Sequence, residues 1–220
     1  MNSARASATP RWKPEPRRKA RRRGRARQLK GAYTIDAATT ANTLTARSLW
    51  ELLFGDLEGY MFTLTGKQNP HDRGSLISVR QLAWEWPGES DEAADYLLEH
   101  SGDGRDAYFG VHLFRTCSGR TKENAAEEVL ALWVDGDGAH VPSDWPQPTV
   151  TVESSPGRHH FYWKLTRAIS AGQAAQLNRR LCYGMGGDKG KWGLGTVLRA
   201  PGTRNYKRET PHEVRSVPYG

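Results

Sequence analysis

Three observations predict a single α+β domain preceded by a loose segment. Helical and strand-like stretches are mixed along the chain, which is typical of an α+β fold built around a sheet. The chain has 220 residues, enough for one core, and 37% of them are hydrophobic, with eight tryptophans. No apolar run approaches the ~18 residues that a membrane-spanning helix needs, so we expect no membrane partner.

The loose segment is the N-terminus. Residues 1–30 contain twelve Lys/Arg and one acid, a net charge of +11, whereas the other 190 residues contain 20 basic and 23 acidic residues, a net charge of −3. Such a segment buries too little apolar surface to offset its ordering entropy. We therefore predict a disordered basic tail over residues 1–30, which would bind nucleic-acid phosphates, and a domain over residues 31–220. A transit peptide or a nuclear address are the alternatives.

The first half of the domain is predicted to contain three helices and two strands. Apolar positions of helical spacing predict a helix over residues 45–56. The stretch "YMFTLT" predicts a strand, "QNPHDRGS" a loop and "SVRQLAWEW" a short helix. Residues 90–102, "SDEAADYLLEHSG", predict a helix with Ser90 as its N-cap and acids in its first turn. "AYFGVHLF" is strand-like.

The second half is predicted to be a strand, a hairpin, a helix and a last strand. The apolar run from Val129 to Val134 is the strand. Next, "TVTVESS" and "RHHFYWKL" flank the turn residues Pro156 and Gly157, which predicts a β-hairpin. Residues 170–183 predict a helix capped by Ser170, and "GTVLRAPGTRNYK" a strand that ends in a turn.

Two aspartates end the Val129–Val134 strand. Residues two apart in a strand face the same side, so Asp135 and Asp137 would converge if the extended geometry continued past Val134. Converging carboxylates are suitable ligands for a hard divalent cation such as Mg²⁺. The alternative is a turn, since Asp-Gly pairs commonly end strands. An EF-hand loop is discarded because the required acid and glycine are absent further on.

Cationic groups follow in the hairpin and in the last segment. Arg158 at the hairpin tip would present a guanidinium to an anion, although a hairpin with one solvated face is the simpler alternative. The segment "GGDKGKWGLGTVLRAPGTRNYK" again joins an acid, Asp188, to several cations. Together these stretches provide acids for metal ions and cations for a polyphosphate.

The order of these motifs resembles the archaeo-eukaryotic primase superfamily. "LWVDGDG", "VESSPGRHHFYW" and "GGDKGKWGLGTVLRAPGTRNYK" are similar to its hhhDxD strand end, its histidine-containing hairpin and its later hydrophobic–Asp motif. The RxPGTxNxK ending is closest to the primase-polymerase domains of bacteriophages, plasmids and other mobile elements. The resemblance covers about residues 45–210 and implies the catalytic core of that superfamily, a mixed RRM-like sheet with flanking helices.

The resemblance assigns roles to individual residues. It implies that Asp135, Asp137 and Asp188 bind metal ions. It also implies that His160 and Arg199 contact the phosphates of the incoming nucleotide.

Three further positions concern the same phosphates and metals. Lys207 is a further phosphate contact under the resemblance, and Arg158 stands where the family often has a serine. Family members often have an acid at the position of Gly193. If that acid were the third metal ligand, this chain would lack it.

The implied activity is template-dependent nucleotidyl transfer by a DNA primase or polymerase. It would use two Mg²⁺ or Mn²⁺ ions, nucleoside triphosphates (NTPs or dNTPs) and a single-stranded DNA template. Unwinding would need a separate helicase, since the sequence has no helicase motif. We expect a cytoplasmic location near replicating DNA.

Two other functions stay open. One is a non-catalytic DNA-binding module of a replication initiator, which the basic tail and Gly193 favour. The other is a rolling-circle nuclease, suggested by "RHHFYW". It is disfavoured because the adjacent His159 and His160 face opposite sides of a strand, whereas ligation from one face needs His-x-His.

Overall fold

The structure, a computed structural model, describes residues 44–217. The predicted basic tail, the first residues of the predicted domain and residues 218–220 lie outside the described residues. The α+β class is confirmed. The three α-helices are α1 (Ala46–Phe54), α2 (Ser90–Gly102) and α3 (Ala171–Met185). The strands are β1 (Gly59–Asn69), β2 (Asp72–Trp86), β3 (Asp106–Gly110), β4 (Glu128–Asp135), β5 (Val150–Ser155), β6 (Arg158–Ser170), β7 (Val197–Arg199), β8 (Arg204–Asn205), β9 (His212–Glu213) and β10 (Arg215–Val217).

The strands form two four-stranded sheets and a small two-stranded one, where the sequence led us to expect one sheet. The first sheet has the order β2-β1-β3-β7, the second β10-β5-β6-β4, and β8 pairs with β9. Every pairing between these strands is antiparallel. In the first sheet β3 and β7 are neighbours, and in the second β6 and β4 are neighbours. These two pairs present the functional side chains.

The predicted helix over residues 78–86 is wrong, because this stretch belongs to β2. Its residues are good helix formers by composition, but β1 pairs with β2 from Gly59 opposite Trp86 to Asn69 opposite Asp72. The Trp84 indole N–H also donates to the Thr63 hydroxyl at 2.8 Å. A long partner strand thus overrides weak local helix propensity.

Of the two predicted helix caps, Ser170 is confirmed and Ser90 is not. Ser170 caps α3 with a complete capping box that includes Gln173, and Thr45 caps α1. For α2 the predicted cap is wrong by one residue. Glu89 is the N-cap and makes no side-chain cap bond, because its carboxylate accepts from the Glu85 backbone N–H at 2.8 Å.

The core draws aromatic side chains from both large sheets and from the helices. The largest side chains that are almost fully buried include Trp50, Phe109, Trp133, Phe161 and Tyr162. The last two are neighbours in β6, so both faces of this strand are covered and the simple hairpin with one solvated face is not what forms. Within residues 44–217, no helix combines the length and the apolar character that crossing a membrane requires.

A buried histidine makes the stability of the fold sensitive to acid. Burial lowers the pKa of His112 from 6.5 to about 4, and its Nε2–H donates to the Ala126 carbonyl at 3.0 Å. Below pH 6.5 His112 becomes protonated in the unfolded chain but stays neutral in the folded protein, so stability falls until about pH 4. We expect His112→Gln to reduce the loss of unfolding free energy between pH 7 and pH 4.5 by roughly 2 kcal/mol.

Urea unfolding at the two pH values measures this difference. The glutamine keeps an N–H donor for Ala126 but does not titrate, so only the pH-dependent part of the stability should change. An equal acid-induced loss in the variant and the wild type would contradict the prediction.

Candidate active site

The site is centred on Asp135, the last residue of β4. This strand is at the edge of its sheet, and α3 covers the edge: the Trp133 backbone N–H donates to the Asn178 side-chain oxygen at 3.1 Å. On the opposite side Asp135 pairs directly with His160 of β6. The Asp135 side chain therefore lies between α3 and the hairpin, in a mostly buried position.

Two glycines bring Asp188 against Asp135. Gly186 ends α3 with a left-handed φ of 76°, as is usual for a helix C-cap. A Cβ on Gly187 would lie 2.6 Å from the Asp135 backbone oxygen, so only glycine permits this approach. The Asp188 backbone N–H then donates to that same oxygen at 2.8 Å. The sequence "GGD" thus fixes the second acid beside the first.

The charged form of the Asp135 carboxyl is disfavoured by its surroundings. Burial, followed by the negative charge of Asp188, raises its pKa from 3.8 to about 6; Asp137 adds to this, and the ammonium of Lys191 opposes it. Asp188 uses its Oδ1 to accept from the Gly190 N–H at 2.8 Å, which orders the loop after α3. Two carboxyl groups held together at low solvent exposure are typical of a cation site.

Asp137 does not share this geometry. The strand ends at Asp135, and Asp137 has a left-handed φ of 42° in a turn. The assumed extended geometry therefore does not reach Asp137, and the chain forms the alternative turn there. The Asp137 carboxylate and carbonyl both accept from the Arg158 guanidinium. Asp137 remains near enough to affect the pKa of Asp135, but its carboxylate is engaged by the hairpin tip.

His160 and Tyr162 complete the buried side of the site. Burial lowers the pKa of His160 to about 3, with contributions from the positive charges of Arg199 and Lys191, so the imidazole is neutral. Its Nε2 lies 3.9 Å from the Asp135 carboxylate. Among the described residues, neither its Nδ1 nor the Tyr162 hydroxyl has a hydrogen-bond partner. Burial and Asp135 raise the pKa of Tyr162 well above 10.

Arg199 is held by two residues that the sequence analysis missed. Its guanidinium forms a buried ion pair with Asp106 and lies over the Tyr108 ring, 4.7 Å from the centroid. Asp106 also accepts from the Tyr206 backbone N–H at 2.9 Å and from the Gln68 side chain. Asp106 and Tyr108 alternate along β3, beside Arg199 on β7. The predicted strand began one residue too late to include Asp106.

Of the remaining cations, Lys191 lies in the site and Lys207 does not contact it. Lys191 affects the pKa of both Asp135 and His160, and its backbone carbonyl accepts from the Trp133 indole at 3.3 Å. Lys207 is exposed and its side chain runs beside Gly74, at the tip of the β1–β2 hairpin. Lys191 was one of several cations noted near Asp188, without a role of its own.

The donor set suits a hard cation, with two acids adjacent and a third nearby. Among residues 44–217, no group of three His, Cys, Asp or Glu side chains is close enough to hold a metal ion as the side chains stand. The oxygens of Asp135 and Asp188 fit such an ion, and Asp137 would join them by leaving Arg158. Gly193 has no side chain that could bind a metal ion, and it lines a groove beside Trp192; what this position means for a third metal ligand stays a prediction.

We expect Gly187→Ala to separate the two acids. The added methyl group would overlap the Asp135 backbone oxygen and Val134, so the loop that bears Asp188 must shift. The expected result is a stability loss of about 1–3 kcal/mol and loss of any function that needs both carboxylates. Thermal unfolding measures the first effect. Gly193→Ala is the matched control, because its methyl group would meet no atom within 4 Å. Equal behaviour of the two variants would contradict this prediction.

Comparisons with known proteins concern the fold and part of the sequence. The family model of the RepB DNA-primase N-terminal domain matches residues 117–218. Among curated proteins no relative matches. Among solved structures, primase RepB′ is similar at 15% identity, with a TM-score of 0.54 over 77% of this chain and 53% of that one. The present chain thus spans about half the length of RepB′.

A second solved structure is more evenly matched in length. The primase-polymerase (AEP) domain of cyanophage S-2L is similar at 17% identity, with a TM-score of 0.54 over 77% of this chain and 86% of that one. Such identities show a shared fold. Together with the family match over residues 117–218, just under half of the chain, that fold agrees with the resemblance to primases described above.

Proposed function

We propose that this protein is a template-dependent nucleotidyltransferase that makes or extends primers in the replication of a mobile element. The observation that supports this most is the position of Asp135 and Asp188. Two adjacent carboxyl groups, one of them mostly buried, face a neutral His160 and the positive charges of Lys191 and Arg199. Acids beside cations are what a metal-bound triphosphate requires.

The acids are the proposed holders of divalent cations. Asp135 and Asp188 would bind Mg²⁺ or Mn²⁺, and Asp137 would contribute after exchanging Arg158 for the ion. When bound, such ions offset the carboxylate charge, neutralise the nucleotide's phosphates and acidify the attacking 3′-hydroxyl. Without them the Asp135 carboxylate stays buried and close to the negative charge of Asp188, and both effects raise its pKa.

The cations and the histidine are the proposed phosphate contacts. Arg199 is kept rigid by Asp106 and Tyr108, so its remaining N–H groups are oriented in advance. The neutral His160 can offer one ring N–H to a phosphate oxygen. Arg158 would become available when Asp137 turns to the metal. Lys207 keeps its predicted role only if a phosphate reaches the tip of the β1–β2 hairpin.

The substrates and partners follow from this proposal. They are NTPs or dNTPs, a single-stranded DNA template, and a separate helicase where unwinding is needed. The protein would act where the element's DNA is replicated, in the cytoplasm of its host.

One assay tests the proposal. Purified full-length protein is incubated with a single-stranded template, labelled NTPs or dNTPs, and Mg²⁺ or Mn²⁺. Template-dependent products are expected from the wild type and not from the Asp135→Ala/Asp137→Ala double variant. DNA binding without any incorporation, under both metals and both nucleotide types, would overturn the proposal and favour the non-catalytic DNA-binding module.

A further inference from the structure

Four side chains form a cationic and aromatic surface at the end of α3. We call Arg179, Tyr183, Lys189 and Trp192 the α3 platform. The Arg179 guanidinium lies 5.4 Å from the centroid of the Tyr183 ring and 5.6 Å from that of Trp192. The Lys189 ammonium lies 5.3 Å from the Tyr183 centroid. Tyr183 is 50% exposed, one of the few large apolar side chains that the described fold leaves in solvent.

The platform differs from an ordinary surface pair on a helix. An Arg and a Tyr four residues apart often contact each other, and that contact is worth about 0.5–1 kcal/mol when exposed. Here the second ring, Trp192, comes from the loop after the helix. Within residues 44–217, no carboxylate lies within ion-pair distance of Arg179, Arg180 or Lys189. The positive charge of this surface is therefore not neutralised within the described fold.

The platform is continuous with the candidate active site. One short loop supplies both: Asp188 and Lys191 affect Asp135, whereas Lys189 and Trp192 belong to the platform. Two hydrogen bonds order this loop, from the Lys191 N–H to the Asp188 carbonyl at 3.0 Å and from the Trp133 indole to the Lys191 carbonyl. The platform and the acid Asp188 are thus neighbours along one ordered loop.

A groove extends the platform on the side of Trp192. It encloses about 720 Å³, within the range of ligand pockets. Its floor is formed by small and apolar residues such as Ala175 and Leu194. Arg115, Lys122 and Arg179 supply positive charge to its walls, with Glu123 and Glu127 also present. The groove is mostly apolar, with three cations, two acids and the Trp192 indole in its lining.

We propose that the α3 platform and its groove bind the single-stranded DNA template as it approaches the active site. The identification of this strand as a template rests on the proposed function. Unpaired bases stack on exposed aromatic rings, and arginine and lysine bind the phosphates between them. In a duplex the bases are already stacked and cannot use the rings. The combination of two rings with uncompensated cations therefore fits a single strand better than a duplex.

The test measures DNA affinity of the full-length protein by fluorescence anisotropy. The Tyr183→Ala/Trp192→Ala variant is expected to bind a single-stranded oligonucleotide roughly tenfold more weakly, whereas Tyr183→Phe/Trp192→Phe keeps the rings and should bind like the wild type. Duplex binding should change less. Arg179→Ala should weaken binding, and Arg167→Ala, an exposed arginine on β6, is its matched control. The titration is repeated at increasing salt, since phosphate contacts weaken with salt more than stacking does.

The outcomes separate this inference from the proposed function. Thermal unfolding verifies that each variant is folded. Wild-type affinity in the Tyr183→Ala/Trp192→Ala variant, or an equal loss for duplex and single strand, would overturn the platform as a stacking site. Nucleotide incorporation is measured on the same preparations. If the wild type incorporates no nucleotide but the variants show the expected losses of affinity, the proposed function is disproved and single-strand binding at the platform is supported.

Discussion

Replacing Asp135 by asparagine is expected to lower nucleotide incorporation by roughly 1,000-fold or more, and at the same time to stabilise the metal-free fold. The activity loss follows because the carboxylate that would hold the cation becomes a neutral amide, which removes several kcal/mol of charge stabilisation. The stability gain follows because the amide has nearly the same shape but carries no charge that burial or Asp188 would disfavour. A residue retained purely for packing would not behave in this way.

The pH dependence of that gain has a definite sign. The pKa of the Asp135 carboxyl is about 6 in the folded protein and 3.8 as its ordinary value. The folded state therefore holds the proton more tightly, and stability is lost as the pH rises from 3.8 through 6. Asparagine does not titrate, so the variant does not lose this stability. The difference in unfolding free energy between the variant and the wild type should therefore grow over this window and stay constant above it, at roughly 1–3 kcal/mol.

Chemical denaturation in the presence of a chelator, between pH 4.5 and pH 8, measures this curve. Asp137→Asn is the informative comparison, since the Asp137 carboxylate is paired with Arg158 and more exposed. It should change stability little. A decrease in the stability of Asp135→Asn at pH 8 would contradict the electrostatic account of the site.

Replacing Asp106 by alanine is expected to cause the largest loss of stability, about 3–5 kcal/mol. Asp106 is completely buried, and its removal would leave the buried Arg199 guanidinium without a counterion. It would also leave the Tyr206 backbone N–H without its acceptor. Arg199 would then shift, so we expect nucleotide incorporation to fall even where the protein stays folded, with the KM for the nucleotide rising.

A double variant separates the two effects. Asp106→Leu with Arg199→Met removes both charges together, which should restore most of the stability lost by Asp106→Ala. It should not restore incorporation, because the guanidinium itself is absent. Denaturant unfolding and steady-state kinetics on the single and double variants provide both measurements. Recovery of activity in the double variant would show that Arg199 has no role at the phosphates.

Much of the fold follows from local sequence patterns. The β5–β6 hairpin was predicted from alternating residues around Pro156-Gly157, and α3 from its Ser170 cap and glycine-rich end. In both cases turn and cap chemistry act within a few residues, so the sequence specifies them without a partner. The helix predicted over residues 78–86 was wrong because the conformation of this part of β2 depends on its pairing with β1.

The candidate site shows the same division. The sequence by itself marked Asp135 at the end of an apolar strand and Asp188 after a glycine pair, and the resemblance to primases added roles for His160 and Arg199. Only the tertiary structure decided which of them meet: Gly187 brings Asp188 against Asp135, the pairing of β4 and β6 sets His160 opposite Asp135, and β3 supplies Asp106 to Arg199. Close approach between distant segments depends on packing, which a local pattern does not encode.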